Sequence, residues 1–361
     1  MSILEQFKVP HDEAVRVDAN LLRAVSAALL QHESVPEADA TLAADVLVSA
    51  DLRGAESHGV SNKLRTYIAD LRRGHINPVP HMATLRETPS CLTLDCDRGL
   101  GIVVAPRAMH IAMDKAAATG AGHVSVSNGR HLGMAAYHAM QALEQDMIGQ
   151  CMTACGPRMV PTFAAERAIG TNPIAVAAPS GTEPPFVFDA ATTVIAENKV
   201  GLAKRVGAPL EGGWISHDGT PLMTAEPVPE SYMLLPLGST RETGSHKGYS
   251  LGVVVDILGG LLNGSPAGAL ATRGKNNHYL SALSVEAFMD VAEFKRGMDD
   301  YLGALRKLPP APGHARVVYA GLQSHEEAAR RGTDGIPLHP EVIRWFTDAC
   351  EEAGIEWPYH G

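Results

Sequence analysis

The sequence has no excess of positive charge. It contains 30 lysine and arginine residues against 40 aspartate and glutamate residues, which gives a formal net charge of −10 with the histidines neutral. A nucleic-acid-binding surface needs basic side chains that neutralise phosphates. The charge balance therefore argues against a nucleic-acid partner.

Long hydrophobic segments are also missing. No run approaches the ~18 uninterrupted apolar residues that a membrane-spanning helix needs. The first eight residues, MSILEQFK, lack the apolar core of a signal peptide. We therefore expect a cytoplasmic protein with no membrane partner.

The cysteines form no Cys-x-x-Cys pair, and their number, five, is odd. Two closer pairs, Cys91 with Cys96 and Cys151 with Cys155, lie in apolar segments typical of strands. Buried reduced thiols are the expected outcome for such positions. The sequence predicts no metal site.

Several nucleotide and hydrolase motifs are absent. The chain has neither a Walker loop nor a Gly-x-Ser-x-Gly elbow. The segment 99–104 begins like a Gly-x-Gly-x-x-Gly fingerprint but lacks the third glycine, and Gly120-Ala-Gly122 precedes a strand instead of following one. Neither segment meets the strand–glycine–helix context of that fingerprint. An ordinary Rossmann domain is therefore not expected.

Hydrophobic periodicity predicts helices at both ends of the chain and mixed strands and helices between them. A single core stops growing near ~250–300 residues, so a chain of 361 residues predicts more than one domain. We expect an α+β fold, with residues 1–85 and 300–361 forming a helical domain. Residues 86–299 are expected to form a second domain with a mixed or antiparallel sheet. Within it, the strongly apolar segment 251–262 predicts a buried helix.

His131 is the first candidate for chemistry. Val124 and Val126 alternate with polar residues as in a strand, Asn128-Gly129 is a turn pair, and helical spacing follows. A histidine between a strand and a helix can project into a cleft, where the free N–H groups of the helix start favour negative charge. Its ordinary pKa suits proton transfer near neutrality. A structural histidine with its partners satisfied is the alternative.

A second candidate cluster lies at the end of a predicted helix. Arg53 and His58 are close enough in sequence to hold a carboxylate substrate together, because guanidinium groups pair with carboxylates in a bidentate way. The alternative is that Arg53 pairs with Glu56 on a solvated helix face while His58 caps the helix.

Two further residues, Asp189 and Lys247, are candidates for a functional role, and each also has a structural alternative. Asp189, where a predicted strand ends, can orient a histidine or cap a neighbouring segment. Lys247 can meet a phosphate, with Gly248 permitting close backbone approach, or it can be a surface lysine.

Taken together, the motifs are more specific than any one of them. They occur in the order Arg53-Gly54-x-x-Ser57-His58-Gly59-Val60, Arg130-His131-x-Gly133, Gly170-Thr-Asn-Pro-Ile174, Phe188-Asp189-x-Ala191-Thr-Thr193 and Lys247-Gly248-Tyr249. In this arrangement the chain resembles the second type of malate/L-lactate dehydrogenase family, which includes ureidoglycolate and sulfolactate dehydrogenases, diketogulonate reductase and a reductase of cyclic imino acids. The resemblance runs from about residue 15 to about residue 350. It implies a non-Rossmann NAD(P)-binding domain, NAD or NADP as cofactor, a small-molecule substrate and a homodimer.

The resemblance also implies roles for individual residues. His131 matches the general acid/base histidine, and Ser57 and His58 match a pair that lines the substrate site and is described with Asp189 as a relay. Arg53 is expected to help hold the substrate carboxylate. The positions that match cofactor contacts are Cys155, Asp189, Ala190, Ala191, Lys247, Gly248, Gly321 and Leu322. At Cys155 the family commonly has serine or asparagine, so that contact departs from the pattern.

The expected reaction is hydride transfer between NAD(P) and C2 of a small 2-hydroxy or 2-oxo acid. His131 would protonate the carbonyl oxygen in reduction and accept the proton in oxidation. Reduction of a C=N bond in an imino acid, a cofactor-binding protein without catalysis and a metal-dependent lyase are the alternatives. We expect substrate specificity to depend on side chains near Asn62, Arg65 and Met159.

Overall fold

The computed structural model describes residues 9–10, 12–271 and 274–359. The strands are β1 (Val15–Val17), β2 (Ala83–Glu87), β3 (Cys91–Asp95), β4 (Ala121–Gly129), β5 (Met147–Ala154), β6 (Ile174–Ala178), β7 (Phe186–Ala190), β8 (Ile215–Ser216), β9 (Met233–Leu234), β10 (Asn276–Ser284) and β11 (Ile336–Leu338). The α-helices are α1 (Ala19–His32), α2 (Glu37–Leu52), α3 (Arg65–Arg72), α4 (Gly101–Thr119), α5 (Ala135–Gln141), α6 (Glu197–Val206), α7 (Ser245–Gly259), α8 (Val291–Arg306), α9 (Leu322–Asp334) and α10 (Pro340–Ala353). None of these described helices has the length and apolarity to cross a membrane.

A seven-stranded mixed sheet forms the centre of the protein. Its strand order is β2-β3-β4-β10-β5-β6-β7. Only β3 and β4 run parallel within it, because α4 connects them and a parallel pair needs such a crossover. The other neighbours pair antiparallel. The predicted α+β class with a mixed sheet is confirmed.

Two large hydrophobic clusters hold the described part of the chain together. The first joins residues from both ends, among them Leu22, Leu47 and Phe346, and the short pair β1–β11 adds to it. The second packs α4 and α5 onto the sheet, with Met109 and Val124 at its centre. The first helices and the last helix therefore share one core. The division at residues 85 and 300 stays a prediction, and its outermost residues 1–8, 11 and 360–361 lie outside the described part.

Helix α7 corrects the prediction of a buried helix. One face packs against β5 and β10 through the fully buried Val255. The opposite face presents Leu251, Val254 and Ile257 with exposed fractions of 44%, 43% and 46%. The helix has apolar residues on all of its sides, but the sheet covers only one side. The segment 251–262 therefore carries an open apolar face, to which Leu261 and Leu262 also belong.

Strand β2 had no clear sequence signal. Four of the five residues of β2 are exposed, so it lacks the alternation of a half-buried strand. It lies at the edge of the sheet, where one backbone side has no partner strand. The prediction of buried cysteines also needs one correction, because Cys91 at the start of β3 is exposed.

Candidate active site

His131 lies in the loop between β4 and α5, as the strand–turn–helix pattern predicts. Its Nδ1 is 2.7 Å from the Tyr67 hydroxyl of α3 and 3.1 Å from the Gly133 backbone N–H. The Tyr67 hydroxyl also donates to the His131 carbonyl oxygen over 3.3 Å. Both close contacts of the ring therefore involve Nδ1. This leaves Nε2 as the ring nitrogen available to a substrate.

His58 stacks on His131. The two ring centroids are 5.6 Å apart and the ring planes differ by 16°. Nδ1 of His58 is 2.8 Å from the Ser57 hydroxyl, so the predicted pair forms a hydrogen bond. These residues belong to a 3₁₀ turn, Glu56–His58, and a π-helical turn, Val60–Leu64, follows directly. Isolated π-helical turns are frequent at functional sites.

Both histidines are neutral at pH 7. Burial and the positive charge of Lys63 lower the pKa of His58 to about 4. Burial and Lys63, with a further contribution from His58, hold the pKa of His131 well below its ordinary value. The desolvation disfavours the imidazolium form in each case.

Two cations of the site lack a matched partner. Within the described residues, no side-chain hydrogen bond or ion pair involves Arg53 or Lys63. Burial lowers the pKa of Arg53, and the charge of Asp189 offsets this in part. Burial lowers the pKa of Lys63 as well, with Glu197 offsetting. Half-buried cations without partners favour an anionic ligand.

The alternative role of Arg53 is wrong. Glu56 pairs with Arg331, whose Nη2 lies 2.6 Å from Glu56 Oε1, and not with Arg53. His58 does not cap α2 either, because the C-cap of that helix is Arg53.

Asp189, on β7, faces the start of α5. Its Oδ2 accepts the Ala136 backbone N–H over 2.8 Å, and no hydrogen bond links it to a histidine among the described side chains. Asp189 is exposed to solvent, although protein atoms crowd around its carboxylate. The desolvation by these atoms raises its pKa to about 6, against the opposing effects of Ala136 and Arg53. Asp189 thus orients the helix that follows His131.

Gly101 explains the partial glycine fingerprint. Gly99 lies between strand β3 and helix α4, and Gly101 begins that helix, so the segment does lie between a strand and a helix although the third glycine of the fingerprint is missing. However, a Cβ on Gly101 would lie 2.3 Å from the Arg130 carbonyl oxygen and 2.5 Å from that of His131. The glycine admits the loop of the candidate histidine instead of a pyrophosphate.

The residues predicted to contact a cofactor form a chain of adjacent segments. The Cys155 N–H donates to Asn172 Oδ1 over 3.0 Å. The Thr192 N–H, just after Ala191, donates to the Thr171 carbonyl oxygen. The Leu237 N–H donates in turn to the Thr192 carbonyl oxygen, and a Cβ on Gly248 would overlap the Leu237 backbone. Cys155, Ala190, Ala191 and Gly248 therefore occupy neighbouring segments.

The remaining predicted cofactor residues lie at two other places. Gly321, with φ +94°, packs against the backbone of Val187 on β7, two residues before Asp189, and Leu322 begins α9. Lys247 is exposed in the first turn of α7, where no side chain caps the helix. A polar cavity of about 390 Å³ opens beside Cys155.

Sequence reasoning missed two residues of the site, Tyr67 and Lys63, and the expectation about specificity near Asn62, Arg65 and Met159 stays a prediction. In the sequence, Tyr67 was visible only as one of the apolar residues of helix α3. The signal that could have found it is that a buried tyrosine hydroxyl needs a polar partner. Lys63 gave no signal because its location depends on the π-helical turn. Arg65 is held by Glu341 over 2.6 Å and stacks on Trp345, and Met159 is fully buried.

Known proteins are similar to this chain in sequence and fold. The family described as "Malate/L-lactate dehydrogenase" matches residues 17–346. The malate dehydrogenase of Pyrococcus abyssi is 37% identical over 349 residues, which are 95% of this chain and 96% of that protein. The L-sulfolactate dehydrogenase of Methanocaldococcus jannaschii is 34% identical over 335 residues, 91% and 94% of the two chains. The crystal structure of malate dehydrogenase from Entamoeba histolytica superposes with a TM-score of 0.91 at 29% identity, covering 96% of this chain and all of the other.

Proposed function

Because the chain belongs to the malate/L-lactate dehydrogenase family, we propose that it transfers a hydride between NAD(P) and C2 of a small 2-hydroxy or 2-oxo acid. It is an oxidoreductase that acts on the CH–OH group of hydroxy acids. The observation that carries the finer proposal is the pair of stacked histidines, on both of which the charge of the half-buried Lys63 acts. This arrangement offers a proton-transfer group near a cation, and the half-buried Arg53, which interacts with Asp189, is a second cation that suits a carboxylate.

His131 moves the proton. When bound, a nicotinamide supplies or accepts the hydride at C2. In reduction, Nε2 of protonated His131 donates to the carbonyl oxygen as negative charge develops there. The protonated state needs Nδ1–H, so Nδ1 no longer accepts the Gly133 N–H; the Tyr67 oxygen can then accept from Nδ1–H while its own proton goes to the His131 carbonyl oxygen. In oxidation, Nε2 accepts the hydroxyl proton.

Arg53 holds the substrate carboxylate, and Ser57 and His58 line the same site. The unpaired guanidinium would regain two hydrogen bonds from a carboxylate. Asp189 fixes the start of α5 and with it one end of the His131 loop. Its hydrogen bond to Ala136 supports a positioning role more directly than a proton relay.

The cofactor-binding residues that we propose are Cys155, Asp189, Ala190, Ala191, Lys247, Gly248, Gly321 and Leu322. The donor set at the start of α7 fits a dinucleotide, because an uncapped helix N-terminus with a lysine in its first turn binds phosphate. The close backbone at Gly248 and Gly321 leaves no room for a Cβ there. NAD and NADP are both candidate cofactors.

The pH dependence of kcat/KM tests the role of His131. Because the pKa of free His131 lies well below its ordinary value, its protonated fraction falls about tenfold for each pH unit above that pKa. We expect kcat/KM for 2-oxo acid reduction to rise about tenfold per unit as the pH is lowered from about 8 to 6. For 2-hydroxy acid oxidation it should stay flat there. Initial rates followed by NADH absorbance measure both profiles.

A plateau of the reduction profile with its midpoint near the ordinary histidine pKa of about 6.5 would contradict a desolvated His131.

We also propose that the protein is a homodimer that buries the open face of α7. Leu251, Val254 and Ile257 form a continuous apolar row there, and such patches mark protein–protein contacts. Val254→Lys would place an unpaired charge in the interface. The variant should elute as a monomer in size-exclusion chromatography with light scattering. Val79→Lys, an exposed valine in another part of the chain, is the control and should leave the mass unchanged.

The first experiment on function measures nicotinamide absorbance with NADH and NADPH separately. The panel contains pyruvate, oxaloacetate, sulfopyruvate, diketogulonate and a cyclic imino acid, with ureidoglycolate tested in oxidation. Turnover of a 2-oxo acid supports the proposal, whereas turnover of the imino acid alone favours the C=N reductase. Cofactor binding without any turnover favours the non-catalytic alternative. The cytoplasm remains the expected location.

A further inference from the structure

Arg331 of α9 is an almost fully buried arginine that reaches the histidine turn. Its exposed fraction is 6%. Nη1 donates to the Asp51 carbonyl oxygen over 2.7 Å, and Nη2 donates to Glu56 Oε1 over 2.6 Å. Nε donates to Glu327 on its own helix over 2.5 Å. One guanidinium thus joins α9, the end of α2 and the residue that precedes Ser57.

Asp51 holds the other end of the same turn. The residue is completely buried, and its Oδ2 accepts the Val60 backbone N–H over 2.7 Å. The carboxyl group lies so close to Gly59 that a Cβ there would be 2.2 Å from its oxygens. The turn 56–60 is therefore held by hydrogen bonds at both ends, from Arg331 to Glu56 and from Val60 to Asp51. Arg331 also binds the backbone of Asp51.

Helix α9 connects these hydrogen bonds to strand β7, which carries Asp189. The helix begins at Leu322, directly after Gly321, which packs on Val187 of β7. The Val187 N–H donates to the Ala320 carbonyl oxygen over 3.1 Å. The start of α9 is thus fixed to the strand that carries Asp189, and Arg331 lies near its other end.

We propose that Arg331 is a positioning residue, which sets the place of the Ser57–His58 turn against His131 from the rigid frame of α9. The proposal rests on the proposed function only in treating this turn as part of the substrate site. Arg331 touches neither histidine. It acts through Glu56 and the backbone of Asp51, with which it forms charge-assisted hydrogen bonds.

The test compares Arg331→Met with Arg330→Met. Arg330 also pairs with Glu327, but it is more exposed, and both of its described ion-pair partners, Glu327 and Asp334, lie on α9. For Arg331→Met we expect kcat/KM for the 2-oxo acid to fall about a hundredfold, because a small displacement of substrate-positioning groups has effects of that size. Most of the loss should be a higher KM, with NADH affinity within about twofold. Arg330→Met should match the wild type.

The Arg331→Lys variant distinguishes a loss of positioning from a folding defect. A lysine keeps the charge and can reach one of the acceptors but lacks the planar fork, so its kcat/KM should lie between those of the wild type and Arg331→Met. A loss confined to kcat, with KM unchanged in both variants, would indicate less active protein and would overturn the positioning role.

Hydrogen–deuterium exchange decides the structural part without any substrate. Amides of segment 56–60 should exchange about tenfold faster in Arg331→Met than in Arg330→Met, since local opening becomes easier. Equal exchange in the two variants would overturn the proposal. If the wild type turns over no member of the substrate panel, the proposed function fails, whereas the exchange result still decides whether Arg331 holds the turn.

Discussion

Replacement of His131 with asparagine is expected to lower kcat for 2-oxo acid reduction about a thousandfold. A positioned acid or base contributes roughly 10² to 10⁴ in rate, and the desolvated ring of His131 is the group we assign to this step. Asparagine keeps a polar atom near the Tyr67 hydroxyl, so the buried phenol retains a partner. Cofactor affinity should remain within about twofold. Steady-state rates and NADH fluorescence titration measure the two quantities.

The chain offers a closely matched control for this experiment. His123 on β4 also pairs with a tyrosine, since its Nδ1 is 2.7 Å from the Tyr279 hydroxyl and the rings stack at 6.1 Å. His123→Asn removes the same chemical group from an equivalent histidine–tyrosine pair and should leave kcat unchanged. Retained turnover in His131→Asn, or an equal loss in both variants, would exclude His131 as the proton-transfer residue.

Replacement of Gly101 with alanine should damage both the stability and the activity of the protein. The new Cβ would overlap two backbone carbonyl oxygens, those of Arg130 and His131, which cannot rotate away as a side chain can. Overpacking of this kind destabilises a fold by about 1–3 kcal/mol. The strain falls on the His131 loop itself, so we expect kcat/KM to fall about a hundredfold as well.

Gly297 provides the comparison for the alanine substitution. It lies within helix α8, where an added Cβ would meet nothing within 4 Å. Gly297→Ala should therefore raise stability by about 0.4–1 kcal/mol through a less flexible unfolded chain. Thermal unfolding followed by circular dichroism gives both changes. A Gly101→Ala variant as stable and active as the wild type would contradict this prediction. It would show that α4 and the His131 loop can move apart without a loss of stability or activity.

Local sequence predicted most of the strands and helices that position the site. Strand β4 contains the alternating Val124 and Val126, and Asp189 lies near the end of β7, where a strand was predicted to end. His131 was identified because a strand, an Asn-Gly turn and a helical pattern follow one another directly. Such signals can be read from neighbouring residues, because they arise from local backbone preference and from the periodicity of burial. The domain division and the roles of the site residues stay predictions.

Contacts between distant segments were beyond the reach of local pattern. The partner of Glu56 is Arg331, 275 positions later, whereas its sequence neighbour Arg53 had been the obvious alternative. The hydroxyl that contacts His131 comes from Tyr67, 64 positions earlier. Which of many arginines or tyrosines meets a given group depends on how the helices pack, and no spacing rule encodes it.

The sequence by itself determined the composition class, the mixed α+β architecture and the short motifs that bear the chemistry, because periodicity and turn chemistry act over a few residues. Only the tertiary structure decided that α7 keeps an apolar face open and that Asp189 binds the start of α5. It also decided that Gly101 accommodates the His131 loop. These features arise when the sheet covers one side of a helix or when two backbones meet, and such close approaches exist only in the packed chain.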